Sequence, residues 1–291
     1  MTQTTTQTMN TSVDSVDFES QEFAPISPSV QPYAQIINPK ITKKGIMPYG
    51  FAIAKANAEL ASFSPPDEWD LIEHEFASKV VQQMYITLAP KLLIIHRLPL
   101  YVFSKKELKI IGQLKDCPQF WDNRDEYKTK SYFWTIILDK ANKPCHTTPL
   151  LISAGGASGA SFGLGWLQNA SPQKKTLRGG FCSDMEKAYA DARKQPVKVM
   201  GDLFHAHCIY QPIFEADERG TPPNTALVSV VNQYLPASID NLIPNGSELS
   251  DFIKISKESV KDWAPRIKDV QPKPVESSIS DDYGLPDDYG F

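Results

Sequence analysis

Six runs of four to eight residues between Gln83 and Ser153 constrain this 291-residue chain more than any other feature. They are Gln83 to Leu88, Lys91 to Arg97, Leu100 to Phe103, Leu108 to Leu114, Ser131 to Leu138 and His146 to Ser153. Each is rich in branched and aromatic side chains, which suit a pleated surface, and each is closed by residues that favour turns. Asp139 to Pro144 has the composition of a hairpin connection. Two further strands are expected at Phe204 to Phe214 and Thr225 to Tyr234. Helix signals are fewer. Ser64-Pro65-Pro66-Asp67-Glu68-Trp69 has a break, then proline and acids suited to a first helical turn. Ser183-Asp184-Met185-Glu186 spells a capping box for a helix to about Lys194. Phe252, Ser256, Val260 and Trp263 share one helical face that ends before Pro265. The order predicts a β-rich α+β domain, barrel-like, with an OB-type barrel as one form; a sandwich has the same element order. Its expected limits are residues 31–270, between disordered segments at 1–30 and 271–291.

The net charge of −4 conceals an uneven distribution. Asp14, Asp17, Glu19 and Glu22 precede the first base, and Glu276, Asp281, Asp282, Asp287 and Asp288 follow the last. The remaining 25 of the 34 acids therefore face all 30 Lys and Arg between residues 24 and 275, a net of +5. A mildly basic body between acidic ends suits a polyanion binder. Cys117, Cys145, Cys182 and Cys208 form no C-x-x-C pair, which points to reduced thiols in a cytoplasmic protein. No export signal or membrane-length apolar run is visible; the densest run, Lys91 to Phe103, is interrupted by His96, Arg97 and Pro99.

Between Lys115 and Trp134, six aromatic residues are interleaved with four bases. Bases of an unpaired strand stack on aromatic faces while nearby cations hold the phosphates, so this segment is the expected nucleic-acid interface. Its candidates are Lys115, Phe120, Trp121, Arg124, Tyr127, Lys128 and Lys130. Tyr132-Phe133-Trp134 runs into Ile136-Ile137-Leu138, which also fits core packing. A second group, Lys174, Lys175 and Arg178 beside Gly179-Gly180, has the composition of a phosphate clamp, and equally of a solvated loop. Gly155 to Gly163 lacks the Gly-Lys-Ser/Thr of a P-loop and reads as a flexible connection. His205-Ala206-His207-Cys208, read as strand, gives two metal ligands on one face, short of a zinc set. No metal, cofactor or catalytic signature is expected.

The chain closes on Asp281-Asp282-Tyr283-Gly284-Leu285-Pro286-Asp287-Asp288-Tyr289-Gly290-Phe291, an acidic aromatic unit written twice without helical or strand period. These eleven residues resemble the C-terminal peptide of bacterial and phage single-stranded DNA-binding proteins, where an acidic tip ends in Phe. That family places Pro directly before Phe; here Gly290 stands there. The resemblance implies that Asp281, Asp282, Leu285, Pro286, Asp287, Asp288, Tyr289 and Phe291 recruit replication or repair enzymes, the ring entering a pocket and the carboxylates meeting basic residues. Gly50-Phe51, Tyr132 to Leu138 and the Ala157 to Trp166 stretch are similar to an uncharacterised domain family of filamentous cyanobacteria, which implies no activity. The expectation is a non-enzymatic single-stranded DNA-binding protein of replication or recombination, with homo-oligomerisation left open and no membrane partner. An assembly protein that never touches nucleic acid, or a metal-dependent enzyme using His205 and His207, are the alternatives.

Overall fold

The computed structural model describes residues 31–42, 45–76, 78–167, 179–221 and 224–265. The expected terminal segments, the Lys174, Lys175 and Arg178 group, and the acidic repeat lie outside them. All described elements belong to the unit that begins at Pro32.

Ten strands make the main sheet. Its backbone path uses β1 (Tyr33–Ile37), β4 (Gly50–Ala54), β5 (Asp70–Glu75), β6 (Val81–Thr87), β7 (Leu92–Arg97), β10 (Tyr127–Ile137), β11 (Leu150–Gly155) and β12 (Ile209–Tyr210). Their order is β12-β7-β10-β11-β1-β4-β6-β5, antiparallel except for β1 beside β11. The path is open: no pairing joins β12 to β5 among the described residues, and no barrel closes. Two hairpins pair separately, the short β2 (Ile41–Thr42) with β3 (Gly45–Ile46), and the long β13 (Pro212–Thr221) with β14 (Asn224–Tyr234); helix α1 (Lys55–Leu60) follows β4.

Strand β10 organises the sheet. The second half of its 11 residues pairs with β7, while its first half pairs with β8 (Tyr101–Ser104), which carries β9 (Lys109–Gln113). One edge of β10 therefore meets two strands in succession, and the break between them is Leu98-Pro99-Leu100, where proline removes a ladder donor. Both faces of this region are covered, so its strands are continuously apolar rather than alternating. Phe133 and Ile152 face a core that includes Phe162, Phe181 and Phe214. Trp134, Ile136 and Leu93 face a second core with Ile253 and Val260. Those two residues belong to α6 (Glu248–Val260), whose N-cap Ser247 accepts from the Ser250 amide.

Four expectations change. Gly155 to Gly163 is no loose connection but most of α3 (Gly156–Trp166). Glycine disfavours helix by about 1 kcal/mol per residue, and tertiary packing outweighs that here. A Cβ on Gly165 would fall 2.6 Å from the Tyr210 hydroxyl, so the bare positions allow close approach. The serines of α3 add fixed bonds: Ser161 Oγ accepts the Val231 amide at 3.0 Å, and Ser158 Oγ donates to Asn38 Oδ1 at 3.1 Å. The capping-box helix, α4 (Phe181–Arg193), begins three residues early, with Gly180 rather than Ser183 as its N-cap; the Gly180 φ of 78° suits only glycine, and Ser183 is left inside the first turn. The expected helix after Pro66 is instead strand β5, held by pairing along all of Asp70–Glu75. The expected strand from Phe204 starts as α5 (Asp202–Ala206) before β12 and β13.

Candidate nucleic-acid interface

A groove of about 750 Å³ opens where β7 ends, and elements remote in sequence wall it. The 3-10 turn Leu114–Asp116 and the short helix α2 (Gln119–Asp122) bring Lys115 and Trp121. The end of α3 brings Trp166 and Leu167; α5 brings Asp202 and His205; α6 brings Lys257. Trp121 is 52% exposed and offers ring surface, whereas Trp166 is buried at 3% and serves as wall.

The charges are arranged unevenly. Lys257 Nζ donates to the Ile95 carbonyl at 2.9 Å, and burial lowers its pKa while Asp202 opposes the shift. His96 is pulled below its ordinary value by burial first and then by Lys257, with Asp202 again opposing. His205 Nε2 lies 3.0 Å from Glu186 Oε1, and the same oxygen accepts the Met200 amide at 2.8 Å. Arg97 ends β7. Its guanidinium lies 5.7 Å from the Phe133 ring centroid and donates to the Leu167 carbonyl at 3.5 Å, with burial lowering its pKa. Three cations thus stand in the described wall against one carboxylate, Asp202.

The sequence candidates separate. Lys115 and Trp121 meet in the groove. Arg124 stacks 5.0 Å from the Trp121 centroid and 5.9 Å from that of Phe120, so it covers part of the exposed indole. Phe120 is corrected from ligand surface to core: it is 7% exposed and packs with Val102 and Cys117. Tyr127 is half-buried against the same cluster. Lys128 and Lys130 set their ammonium groups 5.1 and 5.7 Å from the Phe103 ring centroid, outside the groove walls. Tyr132, Phe133 and Trp134 are all core. The local aromatic-basic signal thus locates one side of the groove. Arg97, His96, Trp166 and Lys257 escaped notice because they come from distant elements, although Arg97 interrupts the densest apolar run.

The His-Ala-His-Cys cluster is not a ligand set. His205 and His207 lie at the end of α5 rather than on a strand, with different partners. His207 Nδ1 faces the Leu203 carbonyl at 2.7 Å and Nε2 faces Ser250 Oγ at 3.0 Å. Cys208 points its thiol at the Phe204 carbonyl, and burial raises its pKa. Among the described residues no three His, Cys, Asp or Glu side chains gather as a metal site. No described helix is long and apolar enough to cross a membrane.

Residues 28–259 match the model of the family described as Domain of unknown function (DUF5895). Uncharacterized protein 254L of Invertebrate iridescent virus 6 is 26% identical over 210 residues, which cover 68% of this chain and 59% of that protein. The chain therefore spans under two thirds of that relative's length. No solved structure matches. Because the family match runs from before β1 into the last turn of α6, and so takes in the sheet and every wall of the groove, the chain belongs to the DUF5895 family.

Proposed function

We propose that this protein binds single-stranded DNA, without enzymatic activity, through the groove at the end of β7. One observation carries the proposal: Lys115, Arg97 and Lys257 line the same groove of about 750 Å³ as the exposed indole of Trp121. A ring on which any base stacks, with cations at its sides for phosphates, binds a strand with little regard to sequence. The net +5 of residues 24–275 supports the same polarity. Strand binding of this kind does not require an OB-type barrel; an open sheet with a groove at the end of one strand supplies the same pairing of ring and cation. The acidic repeat at 281–291 extends the proposal: it recruits replication or recombination enzymes through its rings and carboxylates.

Fluorescence anisotropy with a labelled oligonucleotide, titrated over a range of salt, tests the proposal. Engagement of three phosphates by Arg97, Lys115 and Lys257 gives a slope of log K against log salt of about −2 for a single strand. Absence of binding at low salt, or equal affinity for duplex, refutes it.

A further inference from the structure

Arg97 differs from Lys257 and His205 of the groove wall, and unlike the exposed Lys115 it is partly buried. Lys257 has the Asp202 carboxylate acting on it, and His205 has Glu186. Arg97 has no carboxylate partner among the described residues. Asp202, the single described carboxylate in the wall, acts on His96 and Lys257, and among the described residues the titratable side chain that acts on Arg97 is the thiol of Cys182. Its inner side is closed by the fully buried Phe133 ring, and its one hydrogen bond among the described residues, to the Leu167 carbonyl, is long at 3.5 Å. A partly desolvated cation without a counter-charge is costly, and the cost is recovered when an anion arrives. Most of the five N–H donors remain for such an anion, in a fork that fits two oxygens at once.

We infer that Arg97 is an oxyanion subsite that takes a phosphate monoester, and that a strand is held there by its terminal phosphate. The source of the phosphate rests on the single-strand proposal; the subsite does not. A monoester is preferred over an internal diester for two reasons. Its dianion interacts more strongly with a poorly solvated cation. It also ends the chain, so a strand held at the guanidinium beside the Leu167 carbonyl leaves in one direction, whereas a diester must continue in both.

The test uses the full chain and two variants, Arg97→Met, which keeps the stem and removes the charge, and Arg97→Lys, which keeps the charge and loses the fork. Thermal unfolding is followed in sodium phosphate, in a nucleoside 5′-monophosphate and in sodium chloride of equal ionic strength. Oligonucleotides carrying a 5′-phosphate, a 3′-phosphate or neither are compared by anisotropy. The expected result is that phosphate and the monophosphate raise the melting temperature of the wild type, and that one terminally phosphorylated oligonucleotide binds about 10- to 100-fold tighter than the unphosphorylated one. Arg97→Met abolishes both effects while melting no lower than wild type, and Arg97→Lys retains only a weak preference. Equal binding of all three oligonucleotides, with no response to phosphate, overturns the subsite and leaves single-strand binding standing. A response to the monophosphate without binding of any oligonucleotide keeps the subsite and refutes strand binding. A wild type indifferent to phosphate, with Arg97→Met melting several degrees lower, makes Arg97 a structural strut for Leu167.

Discussion

Replacing Trp121 with alanine separates a binding ring from a packing ring, because its neighbour Phe120 supplies the contrast within one helix. The two rings meet edge to face at 5.2 Å, yet Trp121 is 52% exposed and Phe120 only 7%. Roughly half of a tryptophan's usual buried area, about 100 Å², at about 25 cal/mol per Å² and reduced for a compact denatured chain, limits the stability loss of Trp121→Ala to about 2 kcal/mol. Removing Phe120 from its cluster with Val102 and Cys117 costs about 3–5 kcal/mol. Affinity should move the other way. Loss of one stacked base costs about 1–3 kcal/mol, so Trp121→Ala weakens oligonucleotide binding about 5- to 150-fold. Phe120→Ala, measured at a temperature where it is still folded, should bind nearly as wild type. Urea unfolding and anisotropy on the same preparations give both numbers. If Trp121→Ala binds as tightly as wild type, the indole only shields Arg124 and Phe120, and the groove is misassigned.

Stability should fall as acid is added, in a window set by His146. Its Nδ1 faces the Thr148 carbonyl at 2.7 Å and its Nε2 accepts the Ile137 amide at 2.8 Å, so the ring is held neutral, and burial pulls its pKa from 6.5 down to about 4. The unfolded chain takes up the proton first as pH falls, so about 3 kcal/mol present above pH 6.5 is lost toward pH 4 and the loss then levels off. Urea unfolding across that range should show His146→Gln with a shallower slope; equal slopes would assign the acid sensitivity elsewhere. Gly165→Ala should cost about 1–3 kcal/mol, since the new Cβ would sit 2.6 Å from the Tyr210 hydroxyl and 3.1 Å from Val231 Cγ1. Tyr210→Phe in that background should restore most of the loss, and strictly additive effects in the double-mutant cycle would contradict the contact. Deleting residues 276–291 removes five acidic side chains and no base, so it should tighten oligonucleotide binding most at low salt. An affinity unchanged at every salt concentration would leave the repeat without an electrostatic role.

Much of the strand inventory was legible because its signals are local. The runs expected at Gln83 to Leu88 and Lys91 to Arg97 appear as β6 and β7, and those ending at Leu138 and Ser153 contribute to β10 and β11. Branched residues, aromatics and bounding turn residues act within a few positions, and α6 declared itself through the spacing of Phe252, Ser256 and Val260. Signals that tertiary contacts override misled: the glycines and serines of α3 specify a helix only because β14 and Tyr210 press against it, and the prolines at 65 and 66 introduce a strand because β6 pairs with it.

The same distinction governs the groove. Composition along Lys115 to Trp134 located Lys115 and Trp121, since a basic aromatic stretch can be read from neighbouring letters. It could not separate Trp121 from Phe120, because which of two adjacent rings faces solvent depends on Val102 and Cys117 beneath them. Nor could it join Arg97 to Trp121 and Lys257, because 160 positions separate Arg97 from Lys257 and only the sheet and α6 bring them to one wall. The sequence by itself determined most of the strands between Gln83 and Ser153, where α6 lies and where charge accumulates, all consequences of near neighbours along the chain. The tertiary structure alone decided which rings are buried, that the partly buried Arg97 has no carboxylate beside it among the described residues, and where the groove opens, because burial and charge pairing are properties of contacts between remote segments.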